Sequence, residues 1–307
     1  MSSAPRAWVL NLDAEHELEA QGRYQPTQHL LRIVERERMR LVGTLVGPQD
    51  VVLGLGDPER ARGLPGVAWS PTPRALAQLR AAGAEPLAAP ALEVLRAVNA
   101  RPFAASVREP LQRASFEKHV VLDLESVLAR LALPAPEGWL VRRTFGAAGR
   151  GRRRIAAGEP SESERAWIVA SLRLGPLVVE PWVQVTREYT RSAFVATDGS
   201  VTISAPCFQE TTREGAWTGT TLAGAGELAR EDDAELEAAV AAAGAALARA
   251  GYFGPFGIDA YRHREPGGRR EILNPLSEIN ARFTMDWALG MERGPVLAGP
   301  RARVGRG

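Results

Sequence analysis

Glu278, Asn280 and Arg282 stand two apart in the stretch Ile272–Met285, ILNPLSEINARFTM. From Leu276 onward the stretch reads as extended, so its side chains alternate between two faces. Glu278, Asn280 and Arg282 share one face, and Ile279, Ala281 and Phe283 share the apolar other. An ordinary half-buried strand carries Lys, Thr or Ser at such places. A carboxylate, a carboxamide and a guanidinium within about 14 Å of chain offer two hard oxygen donors and a cation. That set suits a divalent metal holding a phosphate chain.

A second extended piece, Phe256–His263, precedes the first, and Glu265-Pro-Gly-Gly-Arg269 between them is a strong turn signal. A hairpin folded about Gly267–Gly268 sets Asp259 opposite Leu276–Glu278, with Pro275 disturbing the register. Asp259, Glu278 and Asn280 then converge on one ion. The competing reading is a surface strand with solvated acids.

The other chemical signal is TFGAAGRGRRRI, which follows the strand Trp139–Arg143. Gly146, Gly149 and Gly151, spaced by Ala147 and Ala148, let backbone N–H groups approach anionic oxygens. Arg142 precedes this loop, and Arg150, Arg152, Arg153 and Arg154 surround it. Flexible backbone donors beside fixed cations are what a polyphosphate needs. The alternative is an exposed glycine hairpin with solvated arginines. No Gly-Lys-Ser/Thr follows, so the Walker spacing is absent.

These residues need elements to position them. Leu177–Trp182 reads as a buried strand, and its Glu180 demands a partner, either a nucleobase amino group or an arginine. Glu188–Ala196 and Val201–Ala205 read as a hairpin across Asp198–Gly199, with Glu188, Thr190 and Ser192 on one side. The Thr- and Gly-rich Gln209–Ala225 reads as a long loop and candidate lid. Glu231, Asp232 and Asp233 open an Ala-rich helix to Ala250, with Leu236, Val240, Ala243 and Leu247 as its buried stripe. Asp123 and the capping box Ser161–Glu164 open two further helices.

The first hundred residues read as a small α/β domain. Ala7–Leu12, Val51–Leu55 and Val67–Ser70 are strands, and Pro73–Ala82 is a helix ended by Gly83. Asp13, at the end of the first strand, is either a helix N-cap or a ligand contact. Gly54 and Gly56 do not make a dinucleotide fingerprint, because Glu59 occupies the third glycine position and Pro58 breaks the helix. Ala91–Val107 reads as helical with an interruption at Pro102. The tail after Arg293 reads as disordered or a flexible cover.

Composition excludes several classes. Lys plus Arg at 38 nearly balances Asp plus Glu at 36, so no bulk charge argues for nucleic acid. Cys207 is alone, which excludes an internal disulfide and a cysteine-based zinc site and fits a reducing, cytoplasmic setting. His16, His29, His119 and His263 make no ligand spacing. No apolar run reaches membrane-spanning length.

Four elements in order, LVRRTFGAAGRG, VVEPWV, Glu188–Thr190 and GIDA with SEINARFTM, make the chain resemble the ATP-grasp superfamily from about residue 120 to 289. The resemblance implies a Rossmann-like pre-ATP-grasp α/β domain over residues 1–108, followed by a two-lobed α+β ATP-grasp fold. Its small lobe would span 109–183 and its large lobe 184–292, with a flexible tail over 293–307. It further implies ATP with Mg²⁺ or Mn²⁺ as cofactors. Asp259, Glu278 and Asn280 would hold the metal, and Asn280 and Arg282 would serve the transferring phosphate. Gly146, Ala148 and Gly149 would cover the phosphates, with Arg142 where the family commonly has a lysine and Arg143 as the alternative occupant. Glu180, Trp182 and Val183 would meet adenine, and Glu188 the ribose.

The implied activity is an ADP-forming carboxylate–amine ligase acting on small-molecule or peptide carboxylates and amines, through an acyl phosphate. A nucleotide-binding protein without turnover, or a kinase, are the other classes on this scaffold. Asp13, Arg191, Arg213 and Arg282 are candidates to bind an acidic acceptor. Oligomeric state is open, a homodimer included.

Overall fold

The computed structural model describes residues 4–20, 22–108, 119–146, 150–212, 217–264, 268 and 270–291. The chain opens with β1 (Ala7–Val9), α1 (Ala14–Ala20), α2 (Gln28–Leu41), β2 (Val51–Val52), β3 (Pro65–Ala68), α3 (Pro73–Ala81) and β4 (Glu85–Pro86). The four strands form a parallel sheet in the order β2-β1-β3-β4. The helix α2 escapes the sequence reading. Thr27 caps it by accepting from the Leu30 N–H, and its Arg- and Glu-rich outer face hides a narrow apolar stripe ending in buried Val34 and Leu41.

Two short helices follow, α4 (Leu92–Asn99) and α5 (Arg101–Arg108). The break falls at Ala100, not at Pro102. A proline in the first turn of a helix gives up an N–H that has no partner there, so Pro102 belongs inside α5.

The second sheet contains β5 (His119–Val121), β6 (Trp139–Arg143), β7 (Arg152–Ile155) and β8 (Leu177–Pro181), all antiparallel in the order β5-β8-β6-β7. Between them run α6 (Leu124–Leu131), whose cap Asp123 accepts from the Ser126 N–H, and α7 (Glu162–Leu172), opened by the Ser161–Glu164 capping box. Val127, Leu131, Val141, Ile168 and Leu177 close its core. Arg152–Arg154, expected around a loop, lie on strand β7 and therefore alternate between faces.

The third sheet is antiparallel, with the order β12-β11-β9-β13-β14 and β10 on the flank of β9. Its strands are β9 (Gln184–Val195), β10 (Val201–Ile203), β11 (Cys207–Thr211), β12 (Trp217–Leu222), β13 (Gly254–Arg264) and β14 (Glu271–Asn280). Helix α8 (Arg230–Arg249) covers it with Leu236, Val240, Ala243 and Leu247, and Gly251 takes the left-handed position after its end at φ 82°. Leu95, Val98 and Ala104 of α4 and α5 join the same core.

Gln209–Ala225 corrects the sequence reading. Its described residues form most of the hairpin β11–β12, which pairs with the free edge of β9. Thr and Trp favour strand, and an open sheet edge needs a partner. Residues 213–216 lie outside the described set.

A last helix, α9 (Trp287–Gly290), falls in a part of the chain for which the sequence reading expected no element. Trp8 of β1, Leu10 and Trp69 just beyond β1 and β3, and Leu41 of α2 pack on Phe283, Trp287 and Met291. Burying a side chain of Phe283's size is worth about 2–3 kcal/mol, so this contact anchors the segment after β14. No described helix is long and apolar enough to cross a membrane.

Candidate active site

The second and third sheets, with α2 and the chain after β1 and β3, face one cleft of about 1710 Å³. On its floor, β13 and β14 pair in a register that sets Asp259 opposite Glu278. A register shift follows between Asp259 and Tyr261, beside Pro275, which has no N–H to give the ladder. Asn280 Nδ2 donates to Asp259 Oδ2 at 3.0 Å. Burial, then the charges of Glu278 and Asp286, push the Asp259 carboxyl up to about 7.

The extended run expected through Arg282 stops at Asn280, where the Arg282 N–H donates back to the Asn280 carbonyl at 2.9 Å. Two outside elements impose the turn. Asn99, at the end of α4, accepts from the Ala281 N–H at 2.9 Å, and the Phe283 N–H donates to the Trp69 carbonyl at 3.1 Å. Arg282 still donates Nη2 to Asn280 Oδ1 at 3.0 Å, and its Nε donates to Glu15 of α1.

Above this floor, Arg142 of β6 donates to Glu278 at 2.5 Å and to Glu180 of β8 at 3.2 Å. Burial alone would lower the Arg142 pKa, but Glu278 and Glu180 outweigh it and the pKa is raised. Glu180 is 2% exposed, and Arg142, one of its two expected kinds of partner, reaches it. Arg143 instead donates to Ser171 and stands beside Trp167.

Arg101, the first residue of α5, reaches Glu278 at 3.0 Å and donates to the carbonyls of Arg143 and Gly146. Its burial outweighs the pull of Glu278, and its pKa is drawn down to about 10. Gly146 is a close approach: a Cβ there would be driven into the Arg150 carbonyl and against Arg101. Ala148 and Gly149 lie outside the described residues.

The far wall is Pro181, Trp182 and Val183, with the Arg154 guanidinium 4.9 Å over the Trp182 ring. Glu188 faces the cleft and accepts from the Thr211 hydroxyl at 2.5 Å.

No protein-family model and no curated protein matches the sequence. Solved structures do. The N5-carboxyaminoimidazole synthetase of Staphylococcus aureus, complexed with ADP, is 10% identical over 92% of this chain and 72% of that one, with a TM-score of 0.50. An ADP complex of N5-carboxyaminoimidazole ribonucleotide synthetase is 13% identical over the same shares, with a TM-score of 0.50. Rhizobium etli pyruvate carboxylase is 13% identical over 92% of this chain and 26% of that one, also at 0.50.

The fold is ATP-grasp. In this fold Arg142, Gly146, Trp182, Val183, Glu188, Asp259, Glu278, Asn280 and Arg282 all line the cleft. Other expectations are corrected. Asp13 caps nothing with its side chain, which accepts from Arg74 and from the Tyr24 hydroxyl, both at 2.7 Å. Arg191 serves Asp233 and the Ser204 carbonyl beside α8 and is not on the cleft wall. Arg213 lies outside the described residues.

Sequence reasoning missed Arg101, Glu15, Asn99, Trp69 and the cleft-facing residues of α2. Helix α2 is also tied across the cleft. Arg40 lies 3.9 Å over the Trp217 ring and donates to the Thr218 carbonyl at 2.6 Å.

Among the described residues no three His, Cys, Asp or Glu side chains gather as a metal cage. The donor set nevertheless fits Mg²⁺, which keeps to one or two carboxylates and fills its octahedron with phosphate oxygens and water. Asp259 and Glu278 press their charges together on the cleft wall, a repulsion that a divalent cation relieves.

Proposed function

We propose that the chain is an ATP-dependent carboxylate–amine ligase that forms an amide through an acyl phosphate and releases ADP and phosphate. The observation that carries this is the meeting of Asp259, Glu278, Arg142, Arg101 and Gly146 in one cleft. Two acids, two guanidinium groups and a glycine approach are the parts that a polyphosphate with a divalent ion requires. The division of the chain at residues 108, 183 and 292 belongs to the same proposal.

Asp259 and Glu278, with the Asn280 amide, would hold Mg²⁺, which when bound neutralises phosphate charge and polarises the transferring phosphoryl group. Glu180 orients Arg142 toward the phosphates from behind. Arg282 is held by Glu15 and by Asn280 at the end of the cleft where the carboxylate substrate would arrive. The Trp182 and Val183 wall takes the base, and Glu188 the ribose. A carboxylate oxygen leaves poorly and phosphate leaves well, so activation precedes attack by the amine. Among the described residues no Ser/His/Asp or Cys/His arrangement offers a protein nucleophile to compete with this route.

The test is isotopic. Carboxylate substrate carrying oxygen-18 should deliver one label to the released phosphate, and hydroxylamine should trap a hydroxamate when amine is omitted. AMP with pyrophosphate, or unlabelled phosphate, overturns the mechanism. A stable phosphorylated product identifies a kinase.

A further inference from the structure

Beyond the acids assigned to the metal, the cleft wall carries Glu37, Glu137, Glu188, Glu210 and Asp286, and of these Asp286 is the buried one. It is 3% exposed, and its Oδ2 accepts from the Ser192 hydroxyl at 2.6 Å. Ser192, fully buried, is held in turn by Thr284 Oγ1 at 2.9 Å. Among the described residues no cation pairs with Asp286. The arginines on either side are committed elsewhere, Arg282 to Glu15 and Arg191 to Asp233. A buried carboxylate supported only by a neutral hydroxyl is under-compensated, and a ligand of opposite charge is what would complete it.

Its place on the sheet is fixed by register. Ser192 pairs with Gly257, and Thr190 with Asp259. Two residues along a strand are about 7 Å, so the Asp286–Ser192 pair stands one step along the same face from Asp259. It lies on the side of the cleft toward the first sheet. There the wall changes character. Leu12, Leu30, Ile33 and Met285 face the cleft. On the same helix as Leu30 and Ile33, Glu37 is paired with Arg36 and Arg40.

We propose that Asp286 receives the amine substrate as its ammonium ion, and that Leu12, Leu30, Ile33 and Met285 take an apolar substituent on that amine. The substrate class is a primary alkylammonium with a hydrocarbon side chain. This rests on the ligase reading, which it deepens by assigning the second substrate a site. Asp286 acts through charge and Ser192 through orientation, because the hydroxyl fixes one carboxylate oxygen and turns the other to the cleft.

The probes are isoamylamine, a cation at neutral pH, and the isosteric neutral isoamyl alcohol. Each is titrated calorimetrically into the full chain with Mg²⁺ and a non-hydrolysable ATP analogue present. The amine should bind saturably and at least about tenfold more tightly than the alcohol, the scale of one charge-assisted contact. Asp286→Asn, with its fold checked by circular dichroism, should remove that preference. Equal binding of amine and alcohol by the wild-type protein overturns the proposal, and so does an undiminished preference in Asp286→Asn. Should that variant not fold, the wild-type comparison decides alone. The analogue titrated by itself separates the two readings. Amine preference without nucleotide binding sinks the ligase and leaves the ammonium site, whereas nucleotide binding without amine preference sinks this inference only.

Discussion

The Arg142 guanidinium donates to the Glu278 carboxylate at 2.5 Å across 136 positions of chain, joining the second sheet to the third. Arg142 is thus shared between a buried acid, Glu180, and an acid assigned to the metal. Each acid weighs on it differently. Glu180 is shut in by the strand pair β6–β8, while Glu278 stands on the cleft wall between Arg142 and Arg101. On the proposed reading, a metal ion at Glu278 would compete with both guanidinium groups, Arg142 and Arg101, for the same carboxylate.

Glu278→Gln removes the charge and keeps the shape. Turnover dependent on Mg²⁺ should fall by about a hundredfold or more, the usual scale for losing one fixed electrostatic partner of a transition state. Circular dichroism should be unchanged. Steady-state phosphate release that survives at the wild-type rate would remove Glu278 from the metal.

Arg142→Ala should weaken ATP binding by about 1–3 kcal/mol, and Arg142→Lys should recover part of it. Lysine restores the charge but not the fork that spans Glu180 and Glu278. Calorimetric titration of the three proteins checks the order, and equal affinities would assign the contact elsewhere.

Gly257→Ala tests the floor of the site. A Cβ at Gly257 would lie 2.7 Å from Thr284 Cγ2, inside any real contact. Overpacking of this kind costs about 1–3 kcal/mol, more than the roughly 0.5–1 kcal/mol that replacing a strand glycine gains. The urea midpoint should fall. Gly219→Ala on β12, whose Cβ would meet only Glu210 Oε2 at 3.5 Å, is the control and should leave the midpoint unchanged or raise it slightly.

Cys207 is fully buried on β11, and burial, then the charge of Asp286, pushes its thiol up to about 12. The folded chain keeps the proton where the unfolded chain loses it. Stability is therefore present below pH 9, the ordinary value, and declines as pH rises from 9 toward 12. Urea midpoints over that range should fall more steeply for the wild type than for Cys207→Ala. At pH 8 the native thiol should resist Ellman's reagent until denaturant is added.

What was legible from sequence was local. Asp259 and Glu278 could be paired because strand alternation and a glycine turn are short-range signals. Glu180 announced itself as an acid inside an apolar strand. Arg101 gave no such sign, since the carbonyls it grips lie 42 and 45 positions away and Glu278 lies farther. Asp13 looked like a cap because the helix beside it is visible, while Arg74, 61 positions on, is not. The hairpin β11–β12 was read as a lid because its pairing depends on the open edge of β9, a property of the assembled sheet. Arg282 kept its place beside Asn280 although the strand ended, because packing on Trp69 and Asn99 replaced the pleat.

Lys118 is the only lysine in the chain, and every strong cation on the described cleft wall is an arginine. An acyl phosphate is an acylating agent, and a lysine amine within reach would be a target. A guanidinium stays protonated and is a poor nucleophile, and even Arg101, with its pKa drawn to about 10, remains charged at neutral pH. Among the described residues, a mixed anhydride formed in this cleft would meet no side-chain amine, so that part of the wall would be inert toward the intermediate. By the same chemistry, nucleotide reagents that tag ATP sites by acylating lysine would leave the described wall of this cleft unmarked.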